Sequence, residues 1–146
     1  MRIPISDWAV YGIIENDAWQ ILALKRWNTW WMDWYYWLPS WHIEWDETLF
    51  EALQRELKEE IDIEIQETDV EIIHMSHRVR KSDRKYFDTY FRVNTYTWTP
   101  KNNEPDKHSE MKFIDWKTED LLISHLKTVF TEIESWNSFS QIFTTN

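Results

Sequence analysis

A single glycine, Gly12, stands in this chain of 146 residues. Glycine averages about 7% of residues in soluble proteins, so a chain of this length would ordinarily carry about ten. Glycine enters the left-handed backbone region without steric cost, and many tight turns and helix ends require that region. Any fold of this chain must therefore form its turns almost entirely from residues that carry a Cβ atom.

A surplus of tryptophan, 12 residues in all, accompanies the glycine deficit. Trp8 and Trp116 lie in strand-like runs, where a large aromatic side chain is ordinary. We hypothesise that many of the others stand where the functional protein has glycine, for example because a UGA codon used for glycine was translated as tryptophan. The alternatives are deliberate engineering and a naturally tryptophan-rich surface. Turn-like or loop-like sequence surrounds Trp19, Trp27, Trp30, Trp34, Trp41, Trp45, Trp98 and Trp136.

Composition excludes several classes of protein. No apolar run approaches the roughly 20 residues of a membrane-spanning helix, and the N-terminus lacks a signal-peptide pattern. The absence of cysteine removes disulfides and thiolate metal sites and fits a reducing cytoplasm. A formal charge of −10 argues against binding to nucleic-acid polymers. We therefore expect a cytoplasmic protein with no membrane or nucleic-acid partner, in which any phosphate-bearing ligand needs a metal ion to offset the carboxylates.

The clearest periodicity predicts a helix over about residues 49–60. Leu49, Leu53 and Leu57 recur at four-residue spacing, with charged residues on the other side. Thr48 and Glu51 have the spacing of a capping box, which marks the start of a helix.

Strand-like runs lie on both sides of this helix, and a second helical pattern lies near the C-terminus. No repeat or linker divides the chain, so we expect one α+β domain over residues 1–146. The predicted strands cover residues 8–14, 20–24, 61–65, 70–79, 86–96 and 111–116, and the second helix includes residues 126–133.

Three carboxylates share one face of the first helix. Glu56, Glu59 and Glu60 fall at positions i, i+3 and i+4, which lie together at 3.6 residues per turn. Like charges so close cost roughly a few tenths of a kcal/mol per exposed pair unless a cation lies among them. Oxygen ligands at this density suit Mg²⁺ or Mn²⁺, which also coordinate phosphates. The alternative is a solvated acidic face in a chain with 26 Asp and Glu.

A longer pattern of charged and aliphatic residues runs over positions 41–63. Five residues separate Trp41 from Glu47, seven separate Glu47 from Arg55, and the chain continues from Arg55 as R-E-L-K-E-E-I-D-I. This pattern resembles the box of the Nudix (MutT-like) hydrolase family, G-x5-E-x7-R-E-U-x-E-E-x-G-U, where U is aliphatic. Every charged and aliphatic position matches, whereas Trp41 and Asp62 replace the two glycines. With the flanking strands, the resemblance covers about residues 6–122.

The resemblance implies a fold and a metal site. The fold is an α/β/α sandwich, a mixed β-sheet flanked by helices, in which the box forms a loop–helix–loop. By position, the metal ligands would be Glu56, Glu59 and Glu60, helped by the backbone carbonyl of Ser40.

The resemblance also implies supporting and catalytic roles. Glu47 and Arg55 would form an ion pair that orients the loop and the helix. Glu59 or Glu60 is a candidate general base, because each would lie close to metal-bound water. A carboxylate outside the box is the alternative, and Glu110 is favoured among Glu104, Asp106 and Glu110.

The implied activity is hydrolysis of a nucleoside diphosphate linked to another group. We expect a Mg²⁺- or Mn²⁺-dependent pyrophosphohydrolase that converts a nucleoside triphosphate, or a related nucleoside diphosphate derivative, to a monophosphate and pyrophosphate or a phosphorylated product. One alternative substrate is ADP-ribose or a nucleotide sugar. The alternative class is a catalytically silent Nudix fold that binds nucleotides or a partner. The sequence fits either a monomer or a homodimer.

Overall fold

The structure is a computed structural model that describes residues 6–80 and 84–144. Over these residues the chain forms a five-stranded sheet in the order β4-β1-β6-β5-β8 and a three-stranded sheet in the order β3-β2-β7. The β1/β6 and β5/β8 pairs are parallel and the other pairs are antiparallel. The elements are β1 (Asp7–Ile13), β2 (Ile21–Arg26), β3 (Tyr36–Trp37), β4 (Ser40–His42), α1 (Leu49–Ile61), β5 (Val70–Arg80), β6 (Lys85–Val93), β7 (His108–Ile114), α2 (Ser124–Glu134) and β8 (Phe139–Thr144).

The strands form a middle layer between the two helices. Side chains alternate across a strand, so neighbouring residues of β1 enter different apolar clusters. Tyr11 packs in the cluster that contains Leu126 of α2, whereas Val10 packs in the cluster that contains Leu57 of α1. This arrangement confirms the predicted α+β class with helices on both sides of mixed sheets.

Helix α1 begins and ends at residues whose local chemistry favours a helix boundary. The Thr48 side chain accepts from the Glu51 backbone N–H, and the Glu51 side chain accepts from the Thr48 backbone N–H, which forms the predicted capping box. At the other end, Asp62 adopts a left-handed conformation with φ 56°. Its carboxylate lies 2.7 Å from Lys58 Nζ and 3.2 Å from Lys101 Nζ. An aspartate therefore forms the helix end where the box has its second glycine.

The predicted strand at 61–65 is wrong. Ile61 is the last residue of α1, and the alternating isoleucines Ile63 and Ile65 are buried in an irregular segment instead. This segment makes only an isolated bridge between Glu64 and Thr97. In so short a run, alternation of apolar residues indicates only that every second side chain is buried. An irregular segment beneath a helix can bury its side chains in the same way as a strand.

The C-terminal part of the fold also differs from the prediction. Strand β7 ends at Ile114, so Trp116 lies beyond it and stacks on Phe130 of α2, with ring centroids 5.5 Å apart. Strand β8, which pairs in parallel with β5 at the edge of the larger sheet, was not predicted. No helix in the described part of the chain is long and apolar enough to span a membrane.

Helix α2 carries a buried histidine whose pKa makes stability depend on pH. His125 is 5% exposed, its ring meets Trp37 edge-on, and its Nε2 has no hydrogen-bond partner. Burial, with a smaller effect from the charge of Arg78, lowers the pKa of His125 well below its usual 6.5. The unfolded chain then binds a proton before the folded chain does. Above about pH 6.5 the histidine is neutral in both states and does not reduce the free energy of unfolding. As the pH falls below this value, protonation of the unfolded chain lowers the free energy of unfolding.

We expect the free energy of unfolding to fall more steeply below pH 6.5 in the parent protein than in a His125→Phe variant. The extra slope should approach about 1.4 kcal/mol per pH unit, the value for one additional proton bound by the unfolded chain. Urea denaturation at several values between about pH 7 and pH 5 measures it. Equal slopes for the two proteins would contradict the assignment, whatever the difference in their absolute stabilities.

Candidate active site

A cavity of about 410 Å³ lies between α1, β4 and the segment that precedes β7. Carboxylates from three parts of the chain meet in its wall, and two of them, Glu44 and Glu104, lie outside α1. The carboxylates that line it are Glu44, Glu56, Glu59, Glu60 and Glu104.

The amphipathic pattern of α1 turns two of its glutamates inward. Glu56 and Glu60 are one helical turn apart, on the same buried face as Leu53 and Leu57, and are only 4% and 5% exposed. The Glu59 side chain is 54% exposed at the cavity mouth. The three predicted metal ligands thus line one cavity, at two different depths.

Strand β4 contacts this carboxylate face at Glu60. The backbone N–H of Ser40 donates to Glu60 Oε2 at 3.3 Å. Ser40 was expected to act through its backbone carbonyl, and the contact seen in this structure is through its amide. Strand β4 and helix α1 therefore approach each other at Ser40 and Glu60.

The surroundings of Glu56 and Glu60 disfavour the charged form of each carboxyl group. Burial raises the pKa of Glu56 to about 7, with Arg55 opposing the rise and Glu59 and Glu104 adding to it. Burial, and then the charges of Glu56 and Glu104, raise the pKa of Glu60 well above its usual range. A cation in the cavity would relieve both effects, because it would compensate the lost solvation and separate the like charges.

Arg55 joins the loop to the helix through a bidentate ion pair with Glu47. The Arg55 Nε–Glu47 Oε1 and Nη2–Oε2 distances are 2.5 and 2.9 Å, and Glu47 also accepts from the Glu44 backbone N–H at 2.9 Å. The hydrogen bonds from Arg55 lower the pKa of Glu47. These contacts fix the segment between β4 and α1 against the helix.

The same guanidinium also reaches the carboxylate face. Arg55 Nη1 donates to Glu56 and lies 3.5 Å from Glu59 Oε2. Within residues 6–80 and 84–144, no three acidic or histidine side chains are grouped closely enough to hold a metal ion as they stand. The donor set nevertheless fits a divalent cation such as Mg²⁺, because it consists of carboxylate oxygens, two of them buried with raised pKa values.

Glu110, the favoured base outside the box, does not line this cavity. It lies on β7 and accepts from the Tyr36 hydroxyl at 2.8 Å, and this bond, together with Lys112, lowers its pKa. Asp106 is also absent from the cavity wall, whereas Glu104 is part of it. Lys107 Nζ lies 3.2 Å from Glu104 Oε2.

Two further lining residues, Arg26 and His108, were not among the predicted site residues. Arg26, at the end of β2, is partly buried, and its guanidinium lies 5.3 and 5.5 Å from the ring centroids of Trp31 and Trp37. Burial, with the charges of Arg26 and Lys107, lowers the pKa of His108 to about 4, so this imidazole is neutral at pH 7. For Arg26, the sequence signal was its position at the end of an alternating strand. No sequence pattern pointed to His108 as a site residue.

A second cavity, of about 270 Å³, is rich in arginine. Arg26 and Trp41 belong to the walls of both cavities. Arg78, from β5, is 5% exposed in the second wall and pairs with the fully buried Asp88 of β6, with Nε–Oδ2 at 2.8 Å. Arg80 adds a buried Nε that has no hydrogen-bond partner. An acidic cavity therefore shares part of its wall with a cationic one.

The comparisons with known proteins agree with this arrangement of helices and sheets. A family model described as the NUDIX domain matches residues 6–144. The chain belongs to the NUDIX domain family, whose members are hydrolases that act on pyrophosphate bonds of small nucleotide substrates and generally use divalent metal ions. No curated protein matches the chain.

Solved structures share the fold at low sequence identity. The MutT NUDIX hydrolase from Burkholderia pseudomallei is 18% identical, with a TM-score of 0.76 over 88% of this chain and 97% of that one. The MutT protein from Methanosarcina mazei Go1 is 20% identical, with a TM-score of 0.74 over 89% and 94%. A bifunctional NMN adenylyltransferase/ADP ribose pyrophosphatase from Francisella tularensis is 17% identical, with a TM-score of 0.61 over 94% of this chain and 43% of that one.

Proposed function

We propose that the protein is a Mg²⁺-dependent pyrophosphohydrolase that converts a nucleoside triphosphate, or a related nucleoside diphosphate derivative, to a nucleoside monophosphate and pyrophosphate or a phosphorylated product. The observation that carries the proposal is the cavity in which buried Glu56 and Glu60 meet Glu59 and Glu104. Five carboxylates in one wall would repel a polyphosphate. Such a cavity suits this substrate only with a divalent cation between the carboxylates and the phosphates.

Glu56, Glu59 and Glu60 would hold the cation, close to the backbone of Ser40. When bound, Mg²⁺ neutralises charge on the phosphate oxygens and acidifies a coordinated water. Arg55 is a positioning residue in this scheme, because its bidentate pair with Glu47 fixes the loop against the helix. The Arg55 guanidinium also contacts Glu56, so a positively charged group lies beside the carboxylates in this structure.

We assign the general base to Glu104 in preference to Glu110. Glu104 is in the cavity wall, whereas the Glu110 carboxylate is held by Tyr36 outside it. A base has to come within hydrogen-bond reach of the attacking water, so position decides between the two. Glu59, at the cavity mouth, is the candidate within the box.

The arginine-rich cavity supplies a place for the rest of the substrate. Arg26 borders both cavities, so a phosphate group beside it could extend from the carboxylates toward Arg78 and Arg80. Arginine side chains bind phosphate oxygens directionally and stack on planar rings, which suits a nucleotide.

A substrate panel tests the proposed activity. We expect the protein with Mg²⁺ to release a monophosphate and pyrophosphate from at least one nucleoside triphosphate, and chelation of the metal should abolish this release. Chromatography of the products measures it, with ADP-ribose and nucleotide sugars in the same panel to test the alternative substrates. Nucleotide binding by calorimetry without turnover of any substrate would instead identify a silent binding module.

A further inference from the structure

Eight residues in the described part of the chain have a positive φ that is unusual for side chains with a Cβ, and five of them are tryptophans. The left-handed region brings Cβ close to a backbone carbonyl, and bulky residues rarely occupy it. The sole glycine is not among these positions. A Cβ on Gly12 would lie 3.1 Å from a Leu57 methyl, so that glycine serves close packing against α1. The five are Trp19 (φ 62°), Trp30 (64°), Trp34 (73°), Trp98 (75°) and Trp136 (63°).

Trp136 shows most clearly why the backbone requires this conformation. It follows the last residues of α2, and its N–H donates to the Ile133 carbonyl at 3.0 Å. The next N–H, of Asn137, donates to the Glu132 carbonyl, also at 3.0 Å. These two bonds form a Schellman motif, in which the left-handed residue is usually glycine. Trp136 stands in that position.

Trp19 occupies a similar position in the turn between β1 and β2. Its N–H donates to the Asn16 carbonyl at 3.0 Å, and the Asn16 side chain accepts from the N–H groups of Ala18 and Gln20. The hydrogen bonds close the turn around a left-handed residue, as in hairpins that favour glycine.

Packing gives no compensating reason for tryptophan at these positions. Trp30, Trp136 and Trp19 are 97%, 95% and 79% exposed, and the other two are also exposed. Burial of apolar surface is what stabilises a tryptophan in a fold, and these side chains bury little. Trp8 behaves differently, because it lies in β1 and stacks on Phe87 with ring centroids 4.9 Å apart.

We propose that the functional protein has glycine at positions 19, 30, 34, 98 and 136, and that the gene encodes them with UGA codons read as glycine. Trp8 and Trp116, which stack on other rings and have ordinary backbone conformations, are then genuine tryptophans. A naturally tryptophan-rich surface would not favour left-handed positions, and engineering would avoid them, since the strain weakens the fold.

The coding DNA tests the proposal directly. We expect UGA at the five left-handed positions and UGG at Trp8 and Trp116. UGG at the five positions would overturn the proposal. UGA at Trp8 and Trp116 as well would also overturn it, because the codon would then encode tryptophan throughout the gene.

Thermal unfolding gives an independent test on the purified chain. A variant with Trp→Gly at all five positions should melt about 10 °C higher than the parent, because five strained residues are relieved. Trp45→Gly is the matched control, since Trp45 is fully exposed but lacks a positive φ, and it should not raise the melting temperature. A five-site variant that melts at or below the parent would overturn the proposal. None of the five residues lines either cavity, so this result does not depend on the proposed hydrolase activity.

Discussion

Replacement of Glu60 by glutamine is expected to lower kcat/KM for nucleoside triphosphate hydrolysis about 100- to 1,000-fold. Glu60 is one of the two buried box carboxylates and accepts from the backbone N–H of Ser40. Glutamine keeps nearly the same shape but removes the charge that would bind the metal ion. Initial rates at a saturating Mg²⁺ concentration measure the loss, and circular dichroism verifies that the variant is folded.

The matched control for this change is Glu64→Gln. Glu64 follows the end of α1, is exposed and does not line the cavity. Its neutralisation changes the net charge by the same amount and should leave kcat/KM about unchanged. Equal activity of Glu60→Gln and the parent would show that the metal assignment is wrong.

Loss of the buried ion pair between β5 and β6 should have the largest effect on stability. An Arg78→Met change leaves Asp88 charged at a site with no exposure, which should cost about 3–5 kcal/mol of unfolding free energy. The double variant Arg78→Met with Asp88→Leu should recover most of that loss, because no unpaired charge remains. Urea denaturation midpoints of the parent, the single variant and the double variant measure these differences.

A surface ion pair provides the comparison. Lys117 and Glu134 approach to 2.9 Å, but both side chains are more than half exposed. Lys117→Met should therefore cost at most about 1 kcal/mol. A loss from Arg78→Met no larger than this would mean that water or a rearranged partner satisfies Asp88.

The sequence was most informative where the governing interactions are local. Helix α1, its cap at Thr48 and the shared face of its carboxylates all depend on residues within four positions of one another, so spacing predicts them. Asp62 could be expected at a left-handed helix end for the same reason. The isoleucines of residues 61–65 gave a strand pattern because burial on one side looks alike in a strand and in a coil under a helix.

Other features depend on contacts between distant segments and could not be predicted. The sequence named Glu104 as one of three candidate bases but could not show that it, rather than Glu110, lines the cavity. His108 also reaches the cavity, from the start of β7, far along the chain from α1. Strand β8 gains its stability from pairing with β5, since its own residues show only weak alternation. The Arg78–Asp88 pair likewise forms only when β5 and β6 lie side by side. From the charge pattern alone, such residues are predicted to be exposed to solvent.

The exposed tryptophans of the turns are also available for contacts between copies of the chain. Trp19, Trp30, Trp45 and Trp136 are each more than three-quarters exposed, although tryptophan is on average a highly buried residue. The net charge of −10 keeps copies apart at low ionic strength. Salt shortens the range of that repulsion to about 10 Å at 0.1 M. We therefore expect the tryptophan-bearing chain to self-associate as salt is added, through apolar contacts between the indole rings of different molecules.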